Sequence, residues 1–265
     1  MQKPIGVERV KPKKHLGQHF LNAPSIAGRI ADLVPDEAEF VVEIGPGMGI
    51  LTEPLFSRFG KRLLCIEIDK ESVEYLRREP HYAGLKVMAG DFLELEASDW
   101  AQSLTRGAVI GNYPYNISSQ IVFRVLEAKE QVAFFGGMFQ REVARRLCAG
   151  PGSKEYGILS VLLQNYYDCS YAFTVEEGSF TPPPKVKSGV IACMRKAELP
   201  TDCRWESLKT VVKAAFNQRR KTLSNALKGT LQRVPEQWAG KRAEQLEPAA
   251  YLVLGAQLES ERAAQ

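Results

Sequence analysis

Short apolar runs alternate with segments of helical periodicity through the first two thirds of this 265-residue chain. The runs are apolar almost without interruption: FVVEIG (40–45), RLLCIEID (62–69), LKVMAGD (85–91), AVIGN (108–112) and QVAFFGGMF (131–139). Such strands are typical of a parallel sheet covered on both faces, and the helical segments between them are typical of crossover connections. The alternation therefore predicts an α/β fold with a Rossmann-like, doubly wound and mostly parallel sheet.

Two later strand candidates and a change of pattern complete the predicted organisation. CSYAFTVE (169–176) and SGVIACMR (188–195) flank a proline-rich loop and are expected to add an antiparallel edge to the sheet. Beyond position 195 only helical segments follow, with apolar residues from Trp205 to Leu227 on one helical stripe. This pattern predicts a small C-terminal all-helical domain. The predicted divisions are a basic flexible tail at 1–14, a catalytic domain at 15–197 and a helical domain at 198–265.

Charge is distributed unevenly along the chain. The formal net charge is only +4, but residues 1–14 and 203–233 are both strongly basic, so the remainder is acidic. Two basic segments on an acidic body are typical of a protein that binds a polyanion, because clustered cations release counterions from phosphates. A solvated helix face and a frayed terminus would give the same pattern, and the charges alone leave both interpretations open.

The cysteines and the apolar runs restrict the cellular compartment. Five cysteines without a CxxC pair indicate neither a disulfide framework nor a zinc site, and we expect no metal. The longest apolar runs, such as ILSVLL (158–163), are far shorter than the roughly 20 residues that span a bilayer, and the basic N-terminus has no apolar signal core. We therefore expect a cytoplasmic protein with no membrane partner.

A glycine-rich loop, EIGPGMG (43–49), follows the first predicted strand. Gly45, Gly47 and Gly49 allow a tight turn in which a ligand can approach the backbone N–H groups at the start of the next helix. The spacing is GxGxG rather than the GxGxxG of dinucleotide loops. Glu67 ends the second strand, where an acid can accept hydrogen bonds from both hydroxyls of a ribose. These features suit NAD and any adenosyl ligand equally.

Asp91 and Phe92 follow the third strand and narrow the choice of ligand. An acid followed by an aromatic residue can accept the amine of adenine and pack against its ring; the alternative is that Asp91 only caps a helix. Because the carboxyl ends of parallel strands meet at one edge, the glycine loop, Glu67 and Asp91 are expected to lie side by side. A cationic sulfonium would tolerate this acidic rim, whereas a pyrophosphate would not.

The fourth strand ends in Asn112-Tyr113-Pro114-Tyr115, at the same edge. An amine attached to an aromatic base is a poor nucleophile, because its lone pair is delocalised into the ring. Two acceptors can draw its nitrogen toward tetrahedral geometry, and we assign these to the Asn112 amide oxygen and the Tyr113 carbonyl, aimed by Pro114. Tyr115 would stack on the base. The alternative is a proline-kinked turn with core tyrosines.

Motifs along nearly the whole chain are similar to those of one family. They are KKHLGQHFL (13–21), VVEIGPGMGILTEPL (41–55), IEID (66–69), GNYPYNIS (111–118), FQREVARRL (139–147), FTPPPKVKSGV (180–190) and AFNQRRKTLSNAL (215–227). In this order they resemble the ribosomal RNA adenine dimethyltransferase family, specifically its bacterial small-subunit branch. The chain departs from the usual pattern where His19 replaces Asn and where Tyr113 replaces Leu. Neither change removes a proposed acceptor, because Tyr113 acts through its carbonyl.

The resemblance implies a site for S-adenosylmethionine and a site for a target adenine. Together with the loop and strand-end residues, the expected cofactor-binding set is His19, Leu21, Gly45, Gly47, Glu67, Asp91, Phe92 and Asn112. Tyr115 and Phe180 are implied to enclose the adenine between their rings, beside Asn112, Tyr113 and Pro114. The basic residues expected to bind rRNA phosphates are Lys13, Lys14, Arg219, Arg220 and Lys221.

The implied reaction is dimethylation of the exocyclic amines of two adjacent adenines in a hairpin loop near the 3′ end of small-subunit rRNA, during maturation of that subunit. S-adenosylmethionine would be consumed, S-adenosylhomocysteine released and no metal used. Loop bases are the accessible bases of RNA, and unstacking one costs a few kcal/mol. The implied partner is rRNA within a pre-ribosomal particle, and a monomer is expected.

Three other functions are considered. A related enzyme could methylate one adenine of large-subunit rRNA, but the FNQRRKTLSNAL block at 216–227 favours the small-subunit branch. A non-enzymatic RNA-binding or assembly factor could retain the fold, but intact Asn112, Tyr115, Glu67 and Asp91 argue against it. A nicotinamide oxidoreductase is disfavoured by the Asn-Tyr-Pro-Tyr stretch and by the lack of a proton donor there.

Overall fold

Strands and helices alternate as the apolar pattern predicts. A computed structural model describes residues 10–101 and 105–264. Within these ranges the strands are β1 Phe20–Leu21, β2 Phe40–Ile44, β3 Leu63–Glu67, β4 Lys86–Ala89, β5 Gly107–Ile110, β6 Val132–Gln140, β7 Tyr167–Val175, β8 Phe180–Thr181 and β9 Ser188–Arg195. The helices are α1 Pro24–Ala31, α2 Thr52–Phe59, α3 Lys70–Arg78, α4 Ala97–Trp100, α5 Ser118–Glu127, α6 Arg141–Cys148, α7 Ile158–Tyr166, α8 Trp205–Asn217, α9 Leu223–Ala226, α10 Glu236–Ala239 and α11 Pro248–Ala263.

Seven of the described strands form one sheet in the order β4-β3-β2-β5-β6-β9-β7. The pairs from β4 to β6 are parallel, and β9 runs antiparallel to β6. Every residue of β2 and of β5 is buried, as expected for central strands covered on both faces. This arrangement confirms the predicted mostly parallel α/β sheet with an antiparallel strand near its edge.

The strand order places a crevice at the carboxyl ends of β2 and β5. From β2, the chain continues first to β3 on one side and then returns to β5 on the other, so the connections leave β2 in opposite directions. Open α/β sheets bind ligands at this kind of switch point, because the diverging loops leave space between them. The glycine loop and the Asn-Tyr-Pro-Tyr stretch both begin here.

A second, two-stranded sheet joins the segment before α1 to the segment after β7. In it, Phe20 of β1 is opposite Thr181 of β8, and Leu21 is opposite Phe180. The Asn22 backbone N–H extends the ladder by donating to the Ser179 carbonyl at 2.8 Å. These short strands fix the N-terminal segment against the loop that precedes β9.

The chain forms two compact units. One comprises the described residues up to 144 and residues 170–195, and the other comprises residues 145–169 and 196–264. Residues 145–169 therefore group with the C-terminal helices, although the sequence assigned them to the catalytic domain. The reason is packing within the helical unit: the buried Tyr156 hydroxyl donates to the Leu246 carbonyl at 2.9 Å, and its ring contacts that of Phe216.

The helical unit differs from the single predicted stripe in one respect. The helix that begins at Trp205 ends at Asn217, and a turn leads into α9. In this turn the Lys221 N–H donates to the Gln218 carbonyl, and Leu223 N–H donates to the Lys241 carbonyl. The basic cluster therefore lies in a turn between helices.

The predicted flexible tail, 1–14, lies mostly outside the described residues. Its described part begins at Val10, which is buried, and a 3₁₀ turn covers Lys14–Leu16. Lys13 forms an ion pair with Asp69 at 2.5 Å. Of this part of the predicted tail, Val10 is thus buried and Lys13 is held by an ion pair with Asp69.

Within residues 10–101 and 105–264, no helix combines the length and apolar character needed to cross a membrane. All five cysteines are free thiols, and Cys65, Cys193 and Cys203 are buried.

Candidate functional site at the carboxyl edge of the sheet

A cavity opens where β2, β3, β4 and β5 end. The predicted residues that line it are His19, Gly45, Gly47, Glu67, Asp91, Phe92, Asn112, Tyr113, Pro114 and Tyr115. They come from five separate segments, and the parallel topology brings them to one edge. The cavity lining does not include Leu21 or Phe180.

The glycine loop needs glycine for both conformation and space. Gly47 has φ of +56°, and a Cβ placed on it would lie 2.8 Å from Cε1 of Phe20. Its N–H donates to Oε2 of Glu67 at 3.0 Å. The loop therefore lies flat against the N-terminal segment and is tied to the acid at the end of β3.

Glu67 is buried and held by two backbone donors. Besides Gly47, the Asp69 N–H donates to Oε1 at 2.8 Å. Burial raises the pKa of Glu67, while the two backbone hydrogen bonds favour its charged form. Each carboxylate oxygen can accept a further hydrogen bond, so ribose hydroxyls remain suitable partners.

Asp91 caps a turn and also lines the cavity, while its role as an acceptor for the adenine amine stays a prediction. Its Oδ1 accepts from the Leu93 N–H at 2.9 Å, which caps the turn after β4, and the residue also lines the cavity. Phe92 is buried, and its ring centroid lies 5.1 Å from that of Trp100. The turn thus fixes the carboxylate beside an apolar wall, as an adenine site requires.

Asn112 has a defined amide orientation. Its Nδ2 donates to the backbone carbonyl of His19 at 3.0 Å. Since the amide nitrogen is engaged by the N-terminal segment, Oδ1 is the amide atom left to accept a hydrogen bond from a ligand. The bond links β5 to a residue 93 positions earlier, and sequence spacing does not reveal such a partner.

Tyr113 has its side chain in the core. Its hydroxyl donates to the Gly136 carbonyl at 2.6 Å, its ring packs 4.7 Å from that of Phe139, and burial raises its pKa well above the ordinary value. The backbone N–H donates to the Met138 carbonyl at 3.1 Å. The side chain thus anchors the strand end, which agrees with a functional role limited to the Tyr113 carbonyl.

Tyr115 lines the cavity, but the expected enclosing pair of rings is not assembled. Its hydroxyl shares a hydrogen bond of 2.6 Å with Ser188 Oγ, and burial raises its pKa. Phe180 is only 2% exposed and packs in the core with Leu21, its partner across β1 and β8. The ring that stacks on Tyr115 is that of His19, with centroids 5.6 Å apart and planes at 28°.

Of the N-terminal segment, the sequence predicted only His19 and Leu21 at the cofactor site, and other residues of the segment that line the cavity were missed. His15, Gln18 and Phe20 also line the cavity, and Lys13 and Gln18 both contact Asp69. Burial opposes ionisation of Asp69, but the hydrogen bonds from Lys13 and Gln18 lower its pKa overall. The one available signal was the KKHLGQHFL motif itself, since its apolar and polar residues have no strand or helix period.

Ile68 was also missed. It follows Glu67 directly, lines the cavity and is 49% exposed. A large apolar side chain exposed at the ligand edge of a sheet indicates a contact with a flat ring. Its position after the strand-end acid was the signal that could have identified it.

The predicted RNA-binding residues have different surroundings. Lys13 is ion-paired, and the side chain of Lys14 lies outside the described part. Arg219 donates to the Ser153 carbonyl at 3.2 Å and lies 3.6 Å from Glu244. Arg220 and Lys221 are exposed, and a bridge between Thr222 and Arg242 brings Lys241 and Arg242, both exposed, beside them.

The residues that line this cavity fit an adenosyl sulfonium. Gly45 and Gly47 leave room for close backbone approach, Glu67 and Asp91 supply negative charge, and Ile68 offers an apolar surface. Within residues 10–101 and 105–264, no group of three or more His, Cys, Asp or Glu side chains is arranged to hold a metal ion.

Comparison with known proteins gives consistent results. A family model described as Ribosomal RNA adenine dimethylase matches residues 9–259. A Porphyromonas gingivalis protein named Ribosomal RNA small subunit methyltransferase A is 51% identical over 251 residues, which cover 93% of this chain and 97% of that protein.

Solved structures share the fold. A dimethyladenosine transferase from Plasmodium falciparum matches with a TM-score of 0.77 at 24% identity, covering 93% of this chain and 98% of that one. The 23S rRNA methyltransferase ErmE matches with a TM-score of 0.69 at 24% identity, covering 91% and 99%. At these identities the two structures show a shared fold alone and leave the choice of substrate open.

Proposed function

The chain belongs to the ribosomal RNA adenine dimethylase family, and from this premise we propose that it dimethylates two adjacent adenines in a hairpin loop near the 3′ end of small-subunit rRNA. The observation that carries the proposal is the fixed Asn112 amide, which offers its oxygen at the edge where the cofactor residues meet. The small-subunit substrate is favoured over the large-subunit one by the name of the 51% identical relative.

The chain's own residues activate the amine. The Asn112 Oδ1 and the Tyr113 carbonyl oxygen each accept a hydrogen bond from one N–H of the adenine amine. These two bonds draw the lone pair of the amine out of conjugation with the ring. Neither acceptor can turn away easily, because the Asn112 nitrogen is held by His19 and the Tyr113 ring is buried. A neutral oxygen pair is sufficient, and the proton leaves to solvent after methyl transfer.

The cofactor residues hold and orient the methyl donor. S-adenosylmethionine, when bound, supplies an electrophilic methyl group on a cationic sulfur. Glu67 would accept from its ribose hydroxyls and Asp91 from its adenine amine, and the glycine loop would lie against its amino-acid end. The acidic residues also favour a cation over the neutral product.

Phosphate contacts would come from the helical unit. Arg220, Lys221, Lys241 and Arg242 are exposed together in the turn region and match the repeated negative charge of an rRNA backbone. Such contacts position the substrate without reading its bases. We place the reaction in the cytoplasm, on a pre-ribosomal particle, with the protein acting as a monomer.

The test uses radiolabelled S-adenosylmethionine with small and large ribosomal subunits from a strain that lacks this methylation. We expect label only in small subunits, and primer extension should stop at two adjacent adenines of a 3′-terminal hairpin loop. Label in the large subunit at a single adenine would favour the large-subunit alternative. Cofactor binding without label in either subunit would favour a non-enzymatic RNA-binding factor.

A further inference from the structure

Tyr115, which lines the cavity together with Asn112, is held at both ends by hydrogen bonds to serines. At the backbone end, Ser118 Oγ donates to the Tyr115 carbonyl at 3.1 Å. At the far end of the ring, the Tyr115 hydroxyl and Ser188 Oγ share a hydrogen bond of 2.6 Å. Ser118 is 1% exposed and Ser188 is 0% exposed, so solvent has little access to these two bonds.

The position of Ser188 is set by the sheet. It is the first residue of β9 and is paired with Gln140 at the end of β6. Just beyond this pair, the Arg141 N–H donates to the Lys187 carbonyl at 2.9 Å, which continues the contact past the strand ends. Ser188 is 73 positions from Tyr115 in the sequence. It therefore holds the ring from a strand of the central sheet and not from a neighbouring loop residue.

The bond to Ser188 fixes the direction in which the Tyr115 side chain points. A tyrosine hydroxyl lies on the long axis of its ring, so a hydrogen bond there restricts rotation about the Cα–Cβ bond, which would otherwise move the whole ring. Because the backbone carbonyl is held as well, the ring axis is fixed at both ends. Removing Ser188 Oγ would leave the half-buried Tyr115 hydroxyl without this partner, and an unpaired buried hydroxyl is costly.

We infer that Ser188 is a positioning residue, which holds the Tyr115 ring at the place where it stacks on the target adenine. This inference rests on the proposed function, in which the amine of that adenine must reach Asn112. Unpaired RNA bases are commonly bound by stacking on aromatic rings, and a small displacement of a reacting group lowers the rate strongly. Ser188 acts on the reaction through Tyr115, since Ser188 itself is not among the residues that line the cavity.

The test is a double-mutant cycle on the two hydroxyls. Ser188→Ala removes one partner, Tyr115→Phe removes the other and keeps the ring, and a third variant carries both substitutions. Ser207→Ala is the matched control, because Ser207 is a buried serine of the helical unit whose hydroxyl bonds Glu259. Each protein is measured for thermal unfolding, for the Kd of S-adenosylmethionine by calorimetry, and for kcat and KM with small subunits. Stacking is measured as fluorescence quenching of a hairpin RNA that carries 2-aminopurine at the target position.

We expect Ser188→Ala and Tyr115→Phe each to lower kcat about fivefold and to weaken the quenching, since a displaced base leaves its amine out of line with the methyl donor. The double variant should also lose about fivefold, and not about 25-fold, because both substitutions break the same bond. The Kd of S-adenosylmethionine should stay within about twofold of the parent value. Ser207→Ala should lower the unfolding temperature and leave kcat unchanged.

Three outcomes would overturn the inference. Losses that multiply to about 25-fold in the double variant would show that the two hydroxyls act separately. A Ser188→Ala protein that is less stable but keeps the parental kcat would show that this serine only stabilises the fold. A rise in the cofactor Kd as large as the fall in kcat would show that Ser188 acts on the methyl donor.

Failure of the proposed function would look different. A parent protein that quenches 2-aminopurine but transfers no methyl group would reject the proposed reaction. The positioning role would then be decided by the quenching alone: its loss in Ser188→Ala would support the role, and parental quenching in that variant would reject it.

Discussion

The edge of the sheet and the turn of the helical unit solve different physical problems. At the edge, polar groups are few, buried or half-buried, and each is held by a specific backbone partner, as Asn112 is by the His19 carbonyl and Glu67 by the Gly47 N–H. In the turn, Arg220 and Lys221 are exposed on a short connection between helices. At the edge, the positions of the polar groups are fixed, whereas in the turn the main feature is exposed positive charge.

This difference follows from what each ligand requires. Activating an aromatic amine depends on acceptors at fixed positions, because a hydrogen bond loses strength steeply with distance and angle. Binding a phosphate backbone depends mainly on the number of nearby cations, because the attraction is long-range and tolerates motion. Substitutions in the two regions should therefore change different measured quantities.

The largest effect is expected from removing the fixed amide. Asn112→Ala should lower kcat about a hundredfold or more, as the loss of one preorganised polar contact often does, while the Kd of S-adenosylmethionine changes less. Asn116→Ala is the matched control, because Asn116 also lines the cavity but is not one of the two assigned acceptors. Single-turnover methylation of small subunits measures both variants.

Equal rates for Asn112→Ala and the parent protein would remove the basis for the proposed mechanism. Equal losses in the two asparagine variants would show that the cavity as a whole is disturbed and that no specific acceptor acts at position 112. Only a loss confined to position 112 supports the contrast between fixed geometry at the edge and charge in the turn.

The core of the sheet was predictable because its signal extends over many residues. Five strands and the crossovers between them follow from apolar runs, and the acids at 67 and 91 follow from their places at strand ends. The short pairing of β1 with β8 was not predictable, since two residues have no period. It is this pairing that places Phe180 in the core against Leu21 and away from the cavity.

Contacts between residues far apart in sequence also could not be predicted. Lys13 reads as one of several cations in a basic tail, but its partner Asp69 is 56 positions later. Arg219 reads as part of a basic cluster, but it is held by Ser153 and Glu244 in the helical unit. A pattern of charged residues in the sequence gives their number and spacing. It does not show which of them form an ion pair or a hydrogen bond within the folded protein.

A pH-dependent effect on stability is expected from Glu43, in the strand beneath the glycine loop. Burial raises its pKa from the ordinary value of 4.5 to about 7, and the Cys65 thiol lies 3.5 Å from its Oε2. A carboxyl with a raised pKa binds more protons in the folded state. Its contribution to stability is therefore full below pH 4.5 and is lost as the pH rises through about 7.

Glu43→Gln should remove this dependence without changing side-chain size. Between about pH 5 and pH 7, the free energy of unfolding of the parent should fall by about 2 kcal/mol more than that of the variant. Glu67 has a pKa shifted in the same direction and remains in both proteins, so the difference between the two curves reports Glu43 together with its interaction with Glu67. Parallel curves from urea unfolding would contradict the assignment.

A smaller effect, with a different signature, is expected from the turn. The double variant Arg220→Ala, Lys221→Ala should weaken rRNA binding about tenfold at low salt and reduce the slope of log Kd against log salt by about two. The methylation rate at saturating substrate should not change. Arg78→Ala is the control, because Arg78 is an exposed arginine of the α/β unit paired with Glu74; an equal change there would mean that net charge alone is responsible.

The smallest effect should come from Lys13, which the sequence groups with the RNA-binding cations but the structure places on Asp69 and Glu71. The segment it anchors carries the His19 carbonyl that holds Asn112. Lys13→Met should therefore raise the Kd of S-adenosylmethionine about threefold, since a partly exposed ion pair contributes little, and should leave the salt dependence of rRNA binding unchanged. If calorimetry shows an unchanged cofactor Kd while the salt slope falls by about one, Lys13 contacts phosphate when RNA is bound. Its function would then be RNA binding, like that of the charged turn, and not the positioning of groups at the edge of the sheet.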